Sequence, residues 1–251
     1  REENGGQSAV YIDDAGRWAH INKNALRHSL TRRAEQQALA IMNAGKILEN
    51  SIVINTAEPE HDGATAAYVV VGIARDQEDN YYVANALIDV YENGEIEVVA
   101  MDDVYSVNAK RGKIMEPAAP KASAQEQKFP ALTGSKTSIE ELLTVVKEYF
   151  PDILPRDVLS HYGLERSAKP PIRNLKYARS TKNLLEMEES DFTYEALTAK
   201  PDIEIVTIND RPPYRADGKI DRSALVTEAM KRIREENGGQ SAVYIDDAGR
   251  W

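Results

Sequence analysis

The stretch AAYVVVGIARDQEDNYYVANALIDVYENGEIEVVAMDDVY, residues 66–105, decides the fold class of this chain. With the segment just before it, it contains four runs rich in Val, Ile and Tyr, a composition typical of β-strands. The four predicted strands are Ile52–Thr56, Ala66–Arg75, Tyr81–Tyr91 and Glu95–Tyr105. Their short connections, among them the hairpin signal Asn93-Gly94, favour antiparallel neighbours. The pattern therefore predicts a four-stranded antiparallel meander.

Two helices are predicted immediately before these strands. The first covers residues 22–33 and the second residues 34–50, where small and apolar side chains recur at helical spacing. Helices that precede a run of strands are typical of an α+β fold. We therefore expect residues 1–109 to form an α+β domain in which the helices pack on the meander.

The chain after the strands alternates linkers with short folded pieces. Residues 110–136 are rich in Pro, Ala and Ser and predict a flexible linker. Residues 137–166 predict a helical pair, a small appendage whose first helix begins with a capping-box sequence. A second, basic linker is predicted at residues 167–190, and a helix–strand–helix segment at residues 191–251.

The two ends of the chain are identical. Residues 1–18, REENGGQSAVYIDDAGRW, recur without change as residues 234–251. Three explanations stay open: a window cut from a tandem array of modules, an engineered or permuted chain with an overlap, and an assembly artefact. One folded module has room for one copy, so the other must be disordered, occupy a second module or dock on a neighbouring chain. Ser8–Ile12 and Arg17–Ile21, which begin inside the first copy, predict a hairpin with Gly16 in its turn.

The composition limits the classes of function. The chain has 251 residues and a formal net charge of −10, which argues against general adhesion to nucleic acids or membranes but leaves room for a local basic site. It has no cysteine, so disulfides, thiolate metal sites and thiol nucleophiles are excluded. No apolar run is long enough to span a membrane, and no two histidines have metal-ligand spacing. We expect neither a metal nor a cofactor.

One basic cluster stands out from the acidic background. Between residues 23 and 33 there is no acidic residue, and the basic ones are Lys23, Arg27, His28, Arg32 and Arg33. On a helix, His28 and Arg32 lie one turn apart on one face. Arginine binds phosphate through its planar fork, and histidine transfers protons near neutral pH. The cluster therefore predicts a phosphate site, and the plainer interpretation is a solvated face or one paired with the chain's acids.

Metal-free RNA cleavage requires chemical groups of these kinds. It needs a base for the 2′-hydroxyl, an acid for the leaving oxygen and a fixed cation for the charge on phosphorus. The predicted catalytic residues are His28, Arg32, Ser29 and Tyr82, and the predicted substrate-binding residues are Arg27, Thr31, Arg33, Lys23 and His20. Strand alternation places Tyr81 and Tyr82 on opposite faces, so one of them can line a cleft, although packing is the plainer role for both. His61 and His161 have plainer roles, in a solvated loop and at a helix end.

The chain also resembles a known group of proteins. The segment Asn24-Ala-Leu-Arg-His28-Ser-Leu, the helix that ends Ile47-Leu48-Glu49-Asn50 and the Val- and Tyr-rich strands resemble modules of large phage polyvalent proteins. These modules are similar to the barnase/EndoU/RelE-like nuclease fold, with helices on a four-stranded antiparallel sheet. The resemblance is best over the first hundred residues. It implies an RNase-like site that uses His28 with Arg32 or Arg33 and a strand residue, and the candidates for a second histidine are His20 and His61.

These observations predict a phage or mobile-element module in the host bacterial cytoplasm, acting as a metal-independent RNA endonuclease. The predicted partners are RNA and other modules or copies of the same chain, the latter through residues 1–18 and 234–251, and no membrane. The alternative is a non-catalytic interaction or structural module of a multidomain phage protein, with the duplicated segment mediating its contacts. An acidic inhibitor that mimics nucleic acid agrees with the charge of −10 but not with the basic helix.

Overall fold

The computed structural model describes residues 8–30, 34–101, 104–108, 113–114, 134–162, 184 and 187–236. Within them lie the strands β1 Ser8–Ile12, β2 Arg17–Ile21, β3 Ile52–Ala57, β4 Ala64–Asp76, β5 Asn80–Tyr91, β6 Ile96–Ala100, β7 Val104–Asn108, β8 Lys113–Ile114, β9 Lys136–Thr137, β10 Ile203–Glu204 and β11 Val206–Ile208. The helices are α1 Lys23–Ser29, α2 Ala34–Met42, α3 Ala44–Glu49, α4 Ile139–Tyr149, α5 Arg156–His161, α6 Tyr194–Thr198 and α7 Arg222–Glu236. Both predicted linkers fall largely outside the described residues.

The predicted four-stranded antiparallel meander is wrong, because the main sheet is larger and mixed. Among the described residues it has nine strands in the order β1-β2-β6-β5-β4-β11, with β3 also beside β4 and β7 between β5 and β8. Seven of these strands are at least five residues long. The pairs β2–β6 and β4–β11 are parallel. The sheet curls into a half-barrel with helices, and the overall class is α+β.

The lengths of β4 and β5 explain why the main sheet has more strands than the predicted meander. β4 has 13 residues and β5 has 12, so each is long enough to hold two partners in succession along one edge. β5 pairs with β6 through residues 87–90 and with β7 through residues 80–84. The predicted strand Glu95–Tyr105 is therefore two strands, which pair with different stretches of β5.

Helices α1, α2, α3 and α7 all contact the main sheet or one another. The apolar face of α7 is fully buried and consists of Leu225, Val226, Ala229, Met230 and Ile233. α3 approaches β4 closely at Gly72, where a Cβ atom would lie 2.6 Å from the carbonyl oxygen of Ile47. A residue without a side chain is therefore required at this position. The single helix predicted at residues 34–50 is divided into α2 and α3 at Asn43.

Polar contacts tie the helical appendage to the sheet. α4 begins with the predicted capping box, in which Ser138 Oγ accepts from the Glu141 backbone at 3.2 Å and Glu141 Oε2 accepts from the Ser138 backbone at 3.1 Å. The side-chain amide of Asn55 on β3 donates to the carbonyl oxygen of Ile153 at 2.9 Å. The strand expected in the segment 191–251 is two strands, so that β10 pairs with β9 in a second sheet and β11 pairs with β4.

Candidate functional site

The structure describes the predicted basic site only in part. Lys23 and Arg27 lie one turn apart on α1, and both are exposed. His28 and Ser29 belong to the last turn of the same helix. Outside the described residues lie Thr31, Arg32 and Arg33. The convergence of His28 with Arg32 or Ser29 on a phosphate therefore stays a prediction.

Tyr82 has a structural role near the start of β5 and is not brought to α1. Its side chain is buried, and its hydroxyl donates to Asp76 Oδ2 at 2.9 Å. Burial, followed by the hydrogen bond to Asp76, raises the pKa of this phenol well above its usual value. Asp76 also accepts from the Asn80 amide at 2.8 Å, so both residues help to close the β4–β5 turn. Leu87, the first residue of β5 that pairs with β6, lies roughly 17 Å from Tyr82 along the strand.

A polar row, defined by His20, Glu97 and Asp89, crosses three neighbouring strands. His20 on β2 is paired with Glu97 on β6, and Glu97 is paired with Asp89 on β5. Paired residues of adjacent strands project from the same face of the sheet, so the three side chains lie side by side. The alternating positions carry the fully buried apolar residues Ala19, Ile21, Ile88, Val90, Ile96 and Val98. Alternation thus places polar groups on one face and core residues on the other.

Asp89 fixes the orientation of His61. The Asp89 side chain is fully buried and accepts hydrogen bonds from the backbone N–H groups of Glu60 at 3.2 Å and His61 at 2.9 Å. Its Oδ2 also lies 3.0 Å from Nδ1 of His61, whose side chain is 45% exposed. Beside an ionised carboxylate, Nδ1 is the protonated nitrogen of a neutral imidazole, which leaves Nε2 as the proton acceptor. Within the described part of the chain, Nε2 has no hydrogen-bond partner.

Glu97 connects the polar row to the basic helix. Its Oε1 accepts from the side-chain amide of Asn22 at 2.8 Å, and its Oε2 accepts from the hydroxyl of Tyr91 at 3.2 Å. Burial and the neighbouring Glu97 carboxylate raise the pKa of Tyr91 to about 12. Asn22 is also the N-cap of α1, because its Oδ1 accepts from the backbone of Asn24 and Ala25. The amide of Asn22 therefore positions the start of α1 and one oxygen of Glu97 together.

An exposed indole flanks the same row. Trp18 is 45% exposed and precedes His20 by two residues on β2, so both project from one face. Tyr11, its cross-strand partner on β1, meets it edge to face with 5.5 Å between ring centroids. An exposed aromatic face of this kind is suited to stacking on a planar ring.

The sequence indicated only part of this arrangement. His20 was predicted as a binding residue and lies in the polar row, whereas His61 had the plainer role of a solvated loop residue. Asp89 was missed, although a single carboxylate inside the apolar run Ala86–Val90 is a usable signal, since a buried charge requires partners. The pairing with His61 joins residues 28 positions apart, and no local pattern encodes it.

No cluster of three or more His, Asp or Glu side chains able to hold a metal ion occurs in the ranges that the structure describes. Over the same ranges, no helix has the length and apolar character needed to cross a membrane. Comparison with protein-family models, curated proteins and solved structures gives no match for this chain. The function is therefore inferred from the geometry of the site.

Proposed function

We propose that this protein is a metal-independent ribonuclease in which His61 transfers the proton. The observation that carries the proposal is the buried carboxylate of Asp89 bound to Nδ1 of His61 at 3.0 Å. A buried acid that orients an exposed imidazole is the arrangement that a histidine needs to act as a general base through its other nitrogen. The basic helix α1 remains part of the site as its source of positive charge.

His61 would act on the 2′-hydroxyl of a ribose. Nε2 accepts the hydroxyl proton while O2′ forms a bond to the neighbouring phosphorus atom, and the bond from phosphorus to O5′ breaks. The products are a 2′,3′-cyclic phosphate and a 5′-hydroxyl, and no water is consumed. The imidazolium that forms during this step is stabilised by the buried Asp89 carboxylate, because the two opposite charges are in contact.

His20 is the residue best placed to protonate the leaving oxygen. It projects from the same face as Asp89, two strands away, which separates the two Cα atoms by roughly 10 Å. Trp18, on the same face, offers a stacking surface for an unpaired base.

Charge restricts the substrate that can approach. The loop that carries His61 also contains the exposed acids Glu58, Glu60 and Asp62, which repel a polyanion. Lys23 and Arg27 are the exposed cations of α1, and the bond from Asn22 to Glu97 holds the start of this helix beside the polar row. We therefore expect short single-stranded RNA to be a better substrate than long duplexes, with a rate that falls as salt is added.

The resemblance to modules of phage polyvalent proteins and the absence of cysteine support a role in the cytoplasm of a bacterial host. The resemblance also supports RNA as the substrate class. It implies His28 as the catalytic histidine, so the proposal made here differs from it in the identity of the proton-transfer group.

Cleavage of a fluorescent single-stranded RNA in EDTA, followed from pH 5 to 9, tests the proposal. We expect His61→Ala to lower the rate by about 10²- to 10⁴-fold, the usual contribution of a general acid or base, and His20→Ala to lower it comparably. The matched control is His161→Ala. His161 belongs to the appendage and stacks on Tyr194, so its replacement should leave the rate unchanged. A substrate with one 2′-deoxyribose at the cleavage site should remain intact.

Two results would contradict this assignment. RNA that stays intact with the wild-type protein at every pH would remove the ribonuclease function and favour the non-catalytic interaction module. A full rate in His61→Ala together with a large loss in His28→Ala would move the catalytic centre to α1, where the sequence placed it.

A further inference from the structure

The exposed indole of Trp18 lies at the His20 end of the polar row. His20 is two residues further along β2, whereas His61 is held by Asp89, two strands away on β5. We infer that Trp18 stacks on the base of the nucleotide that leaves with the 5′-hydroxyl, so that RNA crosses the site in one direction. This inference rests on the proposed ribonuclease function and extends it from the reaction to the selection of the substrate.

Neighbouring strands hold the indole of Trp18 in position. β2 pairs with β1 on one side and with β6 on the other, and Nη1 of Arg17 donates to the carbonyl oxygen of Gly94 at 2.9 Å in the β5–β6 turn. The ring of Tyr11 meets the indole at an interplanar angle of 65°, so it supports the indole without stacking on it in parallel. Because Trp18 is also exposed, its indole is available to a planar ring from solution.

The two histidines of the site come from opposite edges of β5. β5 pairs with β4 along one edge and with β6 along the other, and the loop that carries His61 leads into β4, whereas His20 lies on β2 beyond β6. The Cα atoms of Trp18 and His20 are separated by roughly 7 Å along one strand, and those of His20 and Asp89 by roughly 10 Å across two strands. Trp18 is therefore a neighbour of His20 and lies at the far end of the row from His61.

The proposed reaction assigns a different nucleotide to each histidine. His61 accepts the proton of the 2′-hydroxyl, which belongs to the nucleotide on the 5′ side of the scissile phosphate. His20 donates a proton to O5′ of the nucleotide on the 3′ side, whose bond to phosphorus breaks. The base of this second nucleotide is separated from O5′ by its own ribose alone, so it is the base that Trp18 can reach. The RNA strand therefore runs 5′ to 3′ from the loop of His61 towards Trp18.

Stacking on Trp18 selects substrates by ring size and not by hydrogen-bonding pattern. Every base has a π-face, so an indole accepts any of them, and the preference among bases follows stacking strength. Purines have the larger ring system. We therefore expect RNA bonds followed by adenine or guanine to be cleaved faster than bonds followed by cytosine or uracil.

Removing one base at a time from the substrate tests the direction of the RNA strand. In an oligonucleotide with a single cleavable ribose, replacing the base on the 3′ side by an abasic residue should lower kcat/KM of the wild-type protein by about 5- to 150-fold, the usual contribution of base–aromatic stacking. Trp18→Ala should show a similar loss on the intact substrate and no further loss on the 3′-abasic one. The matched control is Tyr214→Ala, which removes another exposed aromatic ring, in the β11–α7 connection, and should leave kcat/KM unchanged.

A binding measurement provides a readout that does not depend on turnover. Trp18 and Trp251 are the two tryptophans of the chain, so the fluorescence of a Trp251→Phe variant reports on Trp18 alone. The uncleavable dinucleotide 2′-deoxyuridylyl-(3′→5′)-adenosine should quench this fluorescence. The same compound with hydrogen in place of adenine should leave it unchanged.

Failure of this inference is distinguishable from failure of the proposed function. A wild-type protein that cleaves none of these substrates contradicts the ribonuclease function itself. If RNA is cleaved but Trp18→Ala lowers kcat/KM equally on the intact and the 3′-abasic substrates, or adenine causes no quenching, the stacking on Trp18 is wrong and the ribonuclease function stands. If the effect of Trp18→Ala depends instead on the base on the 5′ side, the RNA strand runs in the opposite direction and the roles of His20 and His61 are exchanged.

Discussion

The Asp89→Asn substitution tests the loop anchor and the proposed catalytic site together. The carboxylate of Asp89 is fully buried and accepts from two backbone N–H groups, at 3.2 and 2.9 Å, and faces the imidazole of His61 at 3.0 Å. An amide of the same shape has one acceptor oxygen and no charge. It can therefore keep one backbone hydrogen bond, whereas its NH2 group would face the second backbone N–H, donor against donor.

The expected loss of stability is about 2–4 kcal/mol. A hydrogen bond to a charged group contributes roughly 1.5–3 kcal/mol, and a neutral one roughly 0.5–1.5 kcal/mol. Asp89→Asn removes two charge-assisted backbone bonds and restores one neutral bond, and the exposed ring of His61 adds little. Because small domains are stable by about 5–15 kcal/mol, we expect the variant to fold, with a freer loop at residues 58–63.

Urea unfolding measures the first effect, and the RNA cleavage assay measures the second. We expect a lower midpoint at unchanged slope, because the surface exposed on unfolding is the same. Hydrogen exchange at the amides of Glu60 and His61 should accelerate. The folded variant should also cleave RNA at least tenfold more slowly, because the imidazole loses the group that selects its tautomer.

The control for this substitution is His61→Ala. It removes only a half-exposed ring and leaves both backbone hydrogen bonds to Asp89, so we expect a loss below about 1 kcal/mol. If Asp89→Asn were no more destabilising than this control, the carboxylate would not anchor the loop. If the folded Asp89→Asn variant cleaved RNA at the wild-type rate, orientation of His61 would not matter to the reaction.

Three further substitutions test the packing and the electrostatics. Gly72→Ala should lower stability by about 1–3 kcal/mol in urea, since the added Cβ would lie 2.6 Å from a carbonyl oxygen of α3; unchanged stability would mean that α3 moves freely. The Thr137 hydroxyl, followed by the N-cap backbone of α4, lowers the pKa of Glu141, so its stabilisation is present above the ordinary value of 4.5 and is lost as pH falls through the lowered value. Glu141→Gln should thus be less stable than wild type at pH 7, and the gap should narrow as the pH falls below 4.5; a gap that does not change with pH would contradict the assignment. Lys200→Met should destabilise by about 1–2 kcal/mol, and in a double-mutant cycle most of this loss should disappear when Asp14 is replaced by Ala.

Two features of the site connect distant parts of the chain. Asn22 caps α1 and holds Oε1 of Glu97, although the two residues are 75 positions apart. The main-sheet register brings His20 beside Glu97 and Glu97 beside Asp89. Asn22 therefore supports both the start of α1 and the polar row, so a substitution of Asn22 should disturb both.

Local patterns in the sequence determined the parts of the fold that depend on near neighbours. The α+β class, the strand character of the Val- and Tyr-rich runs and the capping box of α4 follow from residues a few positions apart. The identity of residues 1–18 and 234–251 is a property of the sequence itself.

The tertiary structure alone decided which strands became neighbours and which polar groups met. The parallel pairing of β2 with β6, the division of one predicted strand into β6 and β7, and the contact of His61 with Asp89 all join residues far apart along the chain. Hydrogen bonding in a sheet depends on the strand that arrives alongside, and periodicity within a strand shows only which face is buried. Tyr82 illustrates this limit, because alternation leaves its face undecided, whereas in the structure its hydroxyl is bound to the turn carboxylate of Asp76.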